Sequence, residues 1–337
     1  MNNSKTHEVQ LDYKDEPDIS ENNILNADEA LLSILLKDQT TKKNILWMTD
    51  NYDKYGFGYK ETSEITIPLI TGKNAKIIRP RINKTKKEQL YRIRDKAEVF
   101  TPSWICNSQN NLIDIAWFGQ EGMFNIESEK SWITNKRNIS FPAGKTWQDY
   151  VLARRMEVSC GEAPYLVSRY DTTIGQMLSV EDRIGILDRK LRIINENSTT
   201  EEEWILWSVK AVQSTYGFEW QGDSLLLARE NIVLSYIDYF KARFGKLPTV
   251  ELIRKIAEIV SWNIWQMDGL KFVVPLSCHE EVHVEQDLFE GTTETKIICE
   301  GCSKNKIKKH NGVYCKIKDW QEDKVIKAVS LLKGDRR

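Results

Sequence analysis

The chain has no run of about 18 apolar residues, the length a membrane-crossing helix needs. Its opening, Met1-Asn-Asn-Ser-Lys-Thr-His-Glu8, lacks the apolar core of a secretory signal, which points to a cytoplasmic protein with no membrane partner. There is no charge excess of either sign. Against 48 Lys and Arg stand 49 Asp and Glu, a formal net charge of −1, so any contact with nucleic acid must come from a local patch. Six cysteines in 337 residues do not make the disulfide framework of a small secreted domain. What the chain does have is core: 41% hydrophobic residues and 29% charged, over a length able to bury more than one compact unit.

The cysteines cluster, and that argues for metal. Cys278, His279, His283, Cys299, Cys302, His310 and Cys315 fall within one short stretch. Cys299-Glu-Gly-Cys302 is a knuckle that lets two thiolates share one tetrahedral ion, and Cys278 and Cys315 complete four sulfur ligands. The spacing suits a structural zinc ribbon over residues 271–320, with no coordination position left for water. His279, His283 or His310 is able to replace one cysteine, and a redox disulfide is the rival use. A small module of this kind takes much of its fold from the metal.

In chain order, residues 1–25 read as a loose polar arm. Residues 26–96 read as helical and basic. Asn26 caps a helix carrying Leu31, Leu32, Ile34, Leu35 and Leu36, and a second helix passes through Ile45–Met48. The basic run from Lys73 to Lys96 suits either DNA phosphates or a solvated connector. Residues 97–270 read as an α/β domain. Pro102 starts a helix over Trp104–Trp117, which is expected to bury Ile105, Leu112, Ile113 and Ala116. After a loop-rich stretch, a helix at Trp147–Ala153 leads into a strand, Met156–Ser159, and then a bend, Cys160-Gly161-Glu162-Ala163. A helix from Tyr165 follows, then a strand Arg183–Leu187 closed by Asp188, an amphipathic helix Trp204–Gln213, and the run Gly217-Phe-Glu-Trp-Gln-Gly-Asp223. Helices over Asn231–Phe240 and Thr249–Trp265 end this part, and residues 321–337 form a tail.

In an open α/β sheet such bends and acids collect at the carboxyl ends of adjacent strands, where a nucleoside-bearing ligand binds. The Cys160–Ala163 bend would approach the ligand, Asp188 would accept from ribose hydroxyls, and Asp223 from an adenine amine. The plainer alternative makes both aspartates ordinary acids that cap the following helices.

With Phe100-Thr101-Pro102 upstream, this order resembles the amino-group DNA methyltransferases, in particular the adenine-specific modification subunits of restriction systems. The resemblance spans roughly residues 90 to 235. It implies an S-adenosylmethionine-dependent, Rossmann-like sheet, with Phe100, Thr101 and Pro102 covering the methionine part of the cofactor. Cys160, Gly161, Glu162 and Ala163 would form the nucleoside turn, Asp188 would be the ribose acid and Asp223 the adenine-side acid. Glu157-Val158 stands where the family has Asp-Pro, and Ala163-Pro164 where it has a second glycine. No Asn-Pro-Pro-Tyr or Asp-Pro-Pro-Tyr occurs in these residues, so no catalytic residue is assigned. The resemblance therefore implies an incomplete sheet, DNA as substrate, and a second chain that supplies the tetrapeptide and the target-recognition region. From another functional class, the same residues suit a non-catalytic zinc-bearing scaffold or DNA-associated module.

Overall fold

Asp28 ends one helix and caps the next: α1 (Glu21–Ala27) stops at it, and its Oδ1 accepts from Ala30 N–H at the start of α2 (Glu29–Leu36). Leu31, Leu32, Leu35 and Leu36 are buried as their helical spacing requires. The computed structural model describes residues 16–18, 20–96, 98, 100–287 and 291–332, without the side chains of Lys96, 283–287 and 291–295. Most of the arm expected over 1–25 therefore lies outside the described residues.

Further helices follow: α3 (Ile67–Ile70), α4 (Lys86–Lys96) and α5 (Ser103–Phe118). A hairpin of β1 (Asn125–Ser128) and β2 (Ser131–Thr134) precedes α6 (Trp147–Leu152) and β3 (Arg155–Val158). Next come α7 (Ile186–Asn197), α8 (Glu201–Gln213), β4 (Thr215–Glu219), α9 (Gly222–Phe244), α10 (Val250–Asn263) and β5 (Ile264–Gln266). The last part holds a hairpin of β6 (Glu281–Asp287) and β7 (Gly291–Ile297), then α11 (Glu300–Lys304), then a hairpin of β8 (Lys316–Asp319) and β9 (Lys324–Lys327). The fold is mixed α/β around a small parallel sheet in the order β3-β4-β5.

The two edges of that sheet differ. At β5 the Gln266 amide accepts from Leu46 N–H at 2.8 Å and donates to Leu46 C=O at 2.8 Å, so a side chain imitates a fourth strand. This is why Ile45–Trp47 is extended instead of helical: its backbone is used against Gln266, Glu64 and Leu36. At β3 no described strand pairs on the outer side, and Met156 and Val158 are 40% and 67% exposed. They lie on the same face as Tyr216 and Phe218, which are covered by a second core cluster containing Trp265, Cys315 and Ile317.

Several expected elements take other forms. No strand occupies 183–187; α7 begins at Ile186, and Asp188 sits in its first turn. No helix follows the bend at Tyr165, where the chain runs in turns. Helix α5 has the expected span, but Leu112 is 64% exposed while Asn107, Asn110 and Asp114 face inward. Most of those polar groups are matched: Asn110 donates to the Tyr165 and Ile184 carbonyls while its Oδ1 has no donor, Asn107 exchanges amide hydrogen bonds with Asn125, and Asp114 pairs with Arg189. The basic run is not simply solvated, because Lys84 and Arg92 turn into the core.

Candidate cofactor cavity and metal centre

A cavity of about 410 Å³ opens at the carboxyl ends of β3 and β4. Its lining brings together Phe100 and Thr101, the turn Cys160, Gly161 and Glu162, and the strand-end stretch Glu219, Trp220 and Gln221. Segments expected to form one site are thus brought together although some sixty residues separate them. The bend is held by unusual backbone: Ser159, Gly161 and Ala163 all have positive φ (52°, 54° and 65°). Non-glycine residues adopt this conformation rarely and at some cost, which fits a turn shaped for a site. Ala163 is fully buried behind the turn and does not line the cavity, so its methyl group crowds nothing there. Pro102 likewise lies outside the lining, as the N-cap of α5.

The lining contains four carboxylates, Glu98, Glu157, Glu162 and Glu219, and no basic residue. Glu219 Oε2 accepts from Gly161 N–H at 2.8 Å, and its Oε1 accepts from the N–H groups of Trp220 and Gln221 at 2.9 and 3.1 Å. Glu162 accepts from Arg81 N–H and Tyr170 Oη–H. Three buried acceptors in the wall have no donor: Glu98 Oε2, Glu157 Oε2 and Gln221 Oε1. Burial pushes the Glu157 carboxyl well above its ordinary value, against the N–H groups of Tyr165 and Leu166, and Glu219 adds to the rise. Burial raises Glu219 too, against its three N–H donors. The Cys160 thiol is pushed up by burial and by Glu157 and Glu219, so it is no nucleophile.

Two implied cofactor residues are elsewhere. Asp188 is fully buried, and its Oδ2 accepts from Ser168 N–H, Ser168 Oγ–H and Gly185 N–H at 2.8, 3.1 and 3.1 Å. It holds the start of α7, and a Cβ at residue 185 would stand 2.4 Å from Leu166 O and 2.6 Å from Asp188 Oδ2, so only glycine fits. Asp223 is fully buried in the first turn of α9, paired with Arg92 and Lys84 and accepting from Tyr52 Oη–H at 2.7 Å. Burial works against its ionised form, but Arg92 and Lys84 overcome that and hold the carboxyl well below the usual carboxylate range. Neither lines the cavity; the strand-end acid there is Glu219. Its signal was in the sequence, as the acid that closes the apolar run itself, four residues before Asp223.

The candidate metal centre consists of Cys278, Cys299, Cys302 and His310, whose potential ligand atoms all lie within 4.8 Å of one another. His310 Nδ1 is 3.6, 3.7 and 3.6 Å from the Sγ atoms of Cys278, Cys299 and Cys302. Zinc bonds of about 2.3 Å to sulfur and about 2.05 Å to nitrogen, at the tetrahedral angle, leave the two atoms about 3.6 Å apart. The donor set therefore fits a tetrahedral ion such as zinc. Glycines make room for it: a Cβ at residue 301 would lie 2.5 Å from His310 Nδ1, and one at 312 would lie 2.9 Å from Cys278 Sγ. Asn311 N–H donates to Cys299 Sγ at 3.3 Å. That donor, the Cys302 N–H and His310 outweigh burial and hold the Cys299 thiol down at about 6.

Cys315 is not a ligand. It is fully buried, its Sγ 3.4 Å from Gln266 O, and packs with Tyr216, Phe218 and Trp265. Its thiol is pushed well up by burial and helps seat β8 on the sheet. His310 takes the fourth position, while His279 stands aside with its N–H on Asn311 Oδ1. The side chain of His283 lies outside the described residues. Cys299 and Cys302 are both free thiols, not a disulfide.

No described helix is long and apolar enough to cross a membrane. Compared with known proteins, the chain matches no family model, no curated protein and no solved structure.

Proposed function

We propose that this chain is the S-adenosylmethionine-binding part of an amino-group DNA methyltransferase, with its target-binding half and Asn-Pro-Pro-Tyr segment supplied from outside these residues. One observation carries the reading: Phe100-Thr101 and the Cys160–Glu162 bend share one cavity at the carboxyl ends of parallel strands, with the strand-end acid Glu219 in its lining. A doubly wound sheet has strand order 3-2-1-4-5-6 and binds its ligand where the order reverses. The order β3-β4-β5 corresponds to one half, and the other half would begin beside β3, on whose outer side no described strand pairs.

The lining fits the cofactor chemically. Unpartnered acceptors suit a ligand that brings donors, namely ribose hydroxyls and an amine. In this reading Glu219 takes the ribose role in place of Asp188, and Phe100 and Thr101 cover the methionine part. Bound S-adenosylmethionine would supply an electrophilic methyl group for adenine N6. Equilibrium dialysis of the full chain against labelled S-adenosylmethionine tests the proposal: saturation near one molecule per chain supports it, and no retention ends it.

A second reading, a non-catalytic metal-bearing scaffold or DNA-associated module, is favoured by a different observation. The Cys278-Cys299-Cys302-His310 donor set is complete within the described chain, whereas the cavity borders β3, on whose outer side no described strand pairs. Failure of dialysis with zinc retained would leave that reading standing.

A further inference from the structure

The four acids of the cavity are not equally compensated. Glu98 Oε1 accepts from Arg92 Nη1 at 2.9 Å and from Ser224 Oγ at 3.3 Å. Glu162 is held by Arg81 N–H and Tyr170 and feels the buried Lys84. Glu157 and Glu219 have only backbone N–H donors, and each has a further carboxylate as its charged neighbour: Glu219 beside Glu157, and Glu98 beside Glu219. Of the cations packed around this region, Arg92 and Lys84 also serve Asp223, Arg81 lies over the Phe100 ring at 4.6 Å, and Arg229 donates to four backbone carbonyls behind Cys160. Cys106, Cys160 and Tyr165, further titratable neighbours of Glu157, carry no positive charge. A second observation points to a ligand. Glu157 and Gln221 are 9% and 7% exposed, line the cavity, and each leaves an oxygen with no donor.

We propose that Glu157 and Glu219 select the ligand by its positive charge, so that a sulfonium nucleoside is held while its neutral thioether counterpart is released, each cation bound displacing one proton from the cavity wall. The proposal rests on the nucleoside-cofactor reading above. Two buried carboxylates near each other, without a cation between them, bind protons more tightly than free ones, since like charges and burial both oppose ionisation. A cation entering beside them replaces the proton: neutral wall plus cation gives ionised wall with bound cation plus one released proton, and charge balances. A thioether or a plain nucleoside brings no such charge and leaves the proton in place. The cavity would then discriminate the methyl-loaded cofactor from the spent one by electrostatics alone, with the advantage shrinking as the pH falls.

The experiment is calorimetric titration of the zinc-loaded full chain with three probes: S-adenosylmethionine, S-adenosylhomocysteine and adenosine. Each is measured at pH 6 and pH 8 in two buffers of different ionisation heat, so that protons released are counted directly. At pH 8 we expect the sulfonium compound to bind about tenfold or more tighter than the thioether, a difference of about 1.4 kcal/mol, with a net release of protons on binding. At pH 6 the ratio falls, and in Glu157→Gln and Glu219→Gln the ratio and the proton count both drop. Equal binding of the two cofactor forms, without proton release, overturns charge selection and leaves the nucleoside reading intact. Binding of none of the three overturns both.

Discussion

Gly161 donates its backbone N–H to Glu219 Oε2 across 2.8 Å, tying the bend after β3 to the last residue of β4. A glycine with φ of 54° lets that N–H reach the acid, and a Cβ there would meet nothing within 4 Å. Only the backbone conformation asks for glycine at this position. The cavity follows from this contact, because it fixes the turn and the strand-end carboxylate relative to each other.

The metal centre makes a prediction about stoichiometry. Native mass spectrometry of the full chain should show one zinc per molecule, retained in Cys315→Ala and lost or sharply weakened in Cys278→Ser and His310→Ala. Loss in Cys315→Ala with retention in His310→Ala would restore the four-sulfur ribbon. Chelation should also lower the stability of the last part of the chain, since structural zinc is coupled to folding.

Asp223 should be a stability residue. Asp223→Asn leaves Arg92 and Lys84 buried without their shared counter-charge, and chemical denaturation should show a loss of about 3–5 kcal/mol. The folded carboxyl titrates below its ordinary value. Its contribution is therefore fully present above about pH 4 and is lost only as the pH falls through the depressed value. A variant effect that instead vanished between pH 6 and 8 would contradict the ion-pair account.

Much of this was legible from pattern. The leucines of α2, the helical stretch of α6, the tryptophan face of α8 and the closely spaced Cys299 and Cys302 each announce an element through pattern alone. Three of the four metal ligands followed from spacing; the fourth did not, because an apolar shell around Cys315 and a glycine-made gap beside His310 are facts of packing. Helix α5 misled for a related reason. Its Asn107, Asn110 and Asp114 form a stripe that reads as solvent-facing, yet it turns inward, where Arg189 and the carbonyls of Tyr165 and Ile184 take up most of its hydrogen bonds. Strand β5 was hidden at the end of a helical pattern that continues through Trp265. Asn263 donates to the carbonyls of Val212, Gln213 and Thr215 there, and α10 ends at that residue.

Glu157 should trade stability for site chemistry. Its folded carboxyl titrates above its ordinary value of about 4.3. The unfolded chain therefore ionises first, and stability falls as pH rises from about 4.3 through the raised value. In Glu157→Gln that slope should flatten, and thermal denaturation at pH 7.5 should show a gain of about 0.5–2 kcal/mol. A loss at pH 7.5 would mean that the ionised carboxylate is satisfied in the folded chain.

Asp188 should matter for folding and not for the ligand. Removing its three hydrogen bonds in Asp188→Ala should cost about 1–3 kcal/mol, read by urea denaturation. A neutral result would show that α7 starts without it.

The comparison of two acids tests the central claim most directly. Calorimetric titration with S-adenosylmethionine should give an unchanged dissociation constant, within about twofold, for folded Asp188→Ala, and at least about tenfold weaker binding for Glu219→Gln. Weakened binding in Asp188→Ala with Glu219→Gln unaffected would contradict the site as built here.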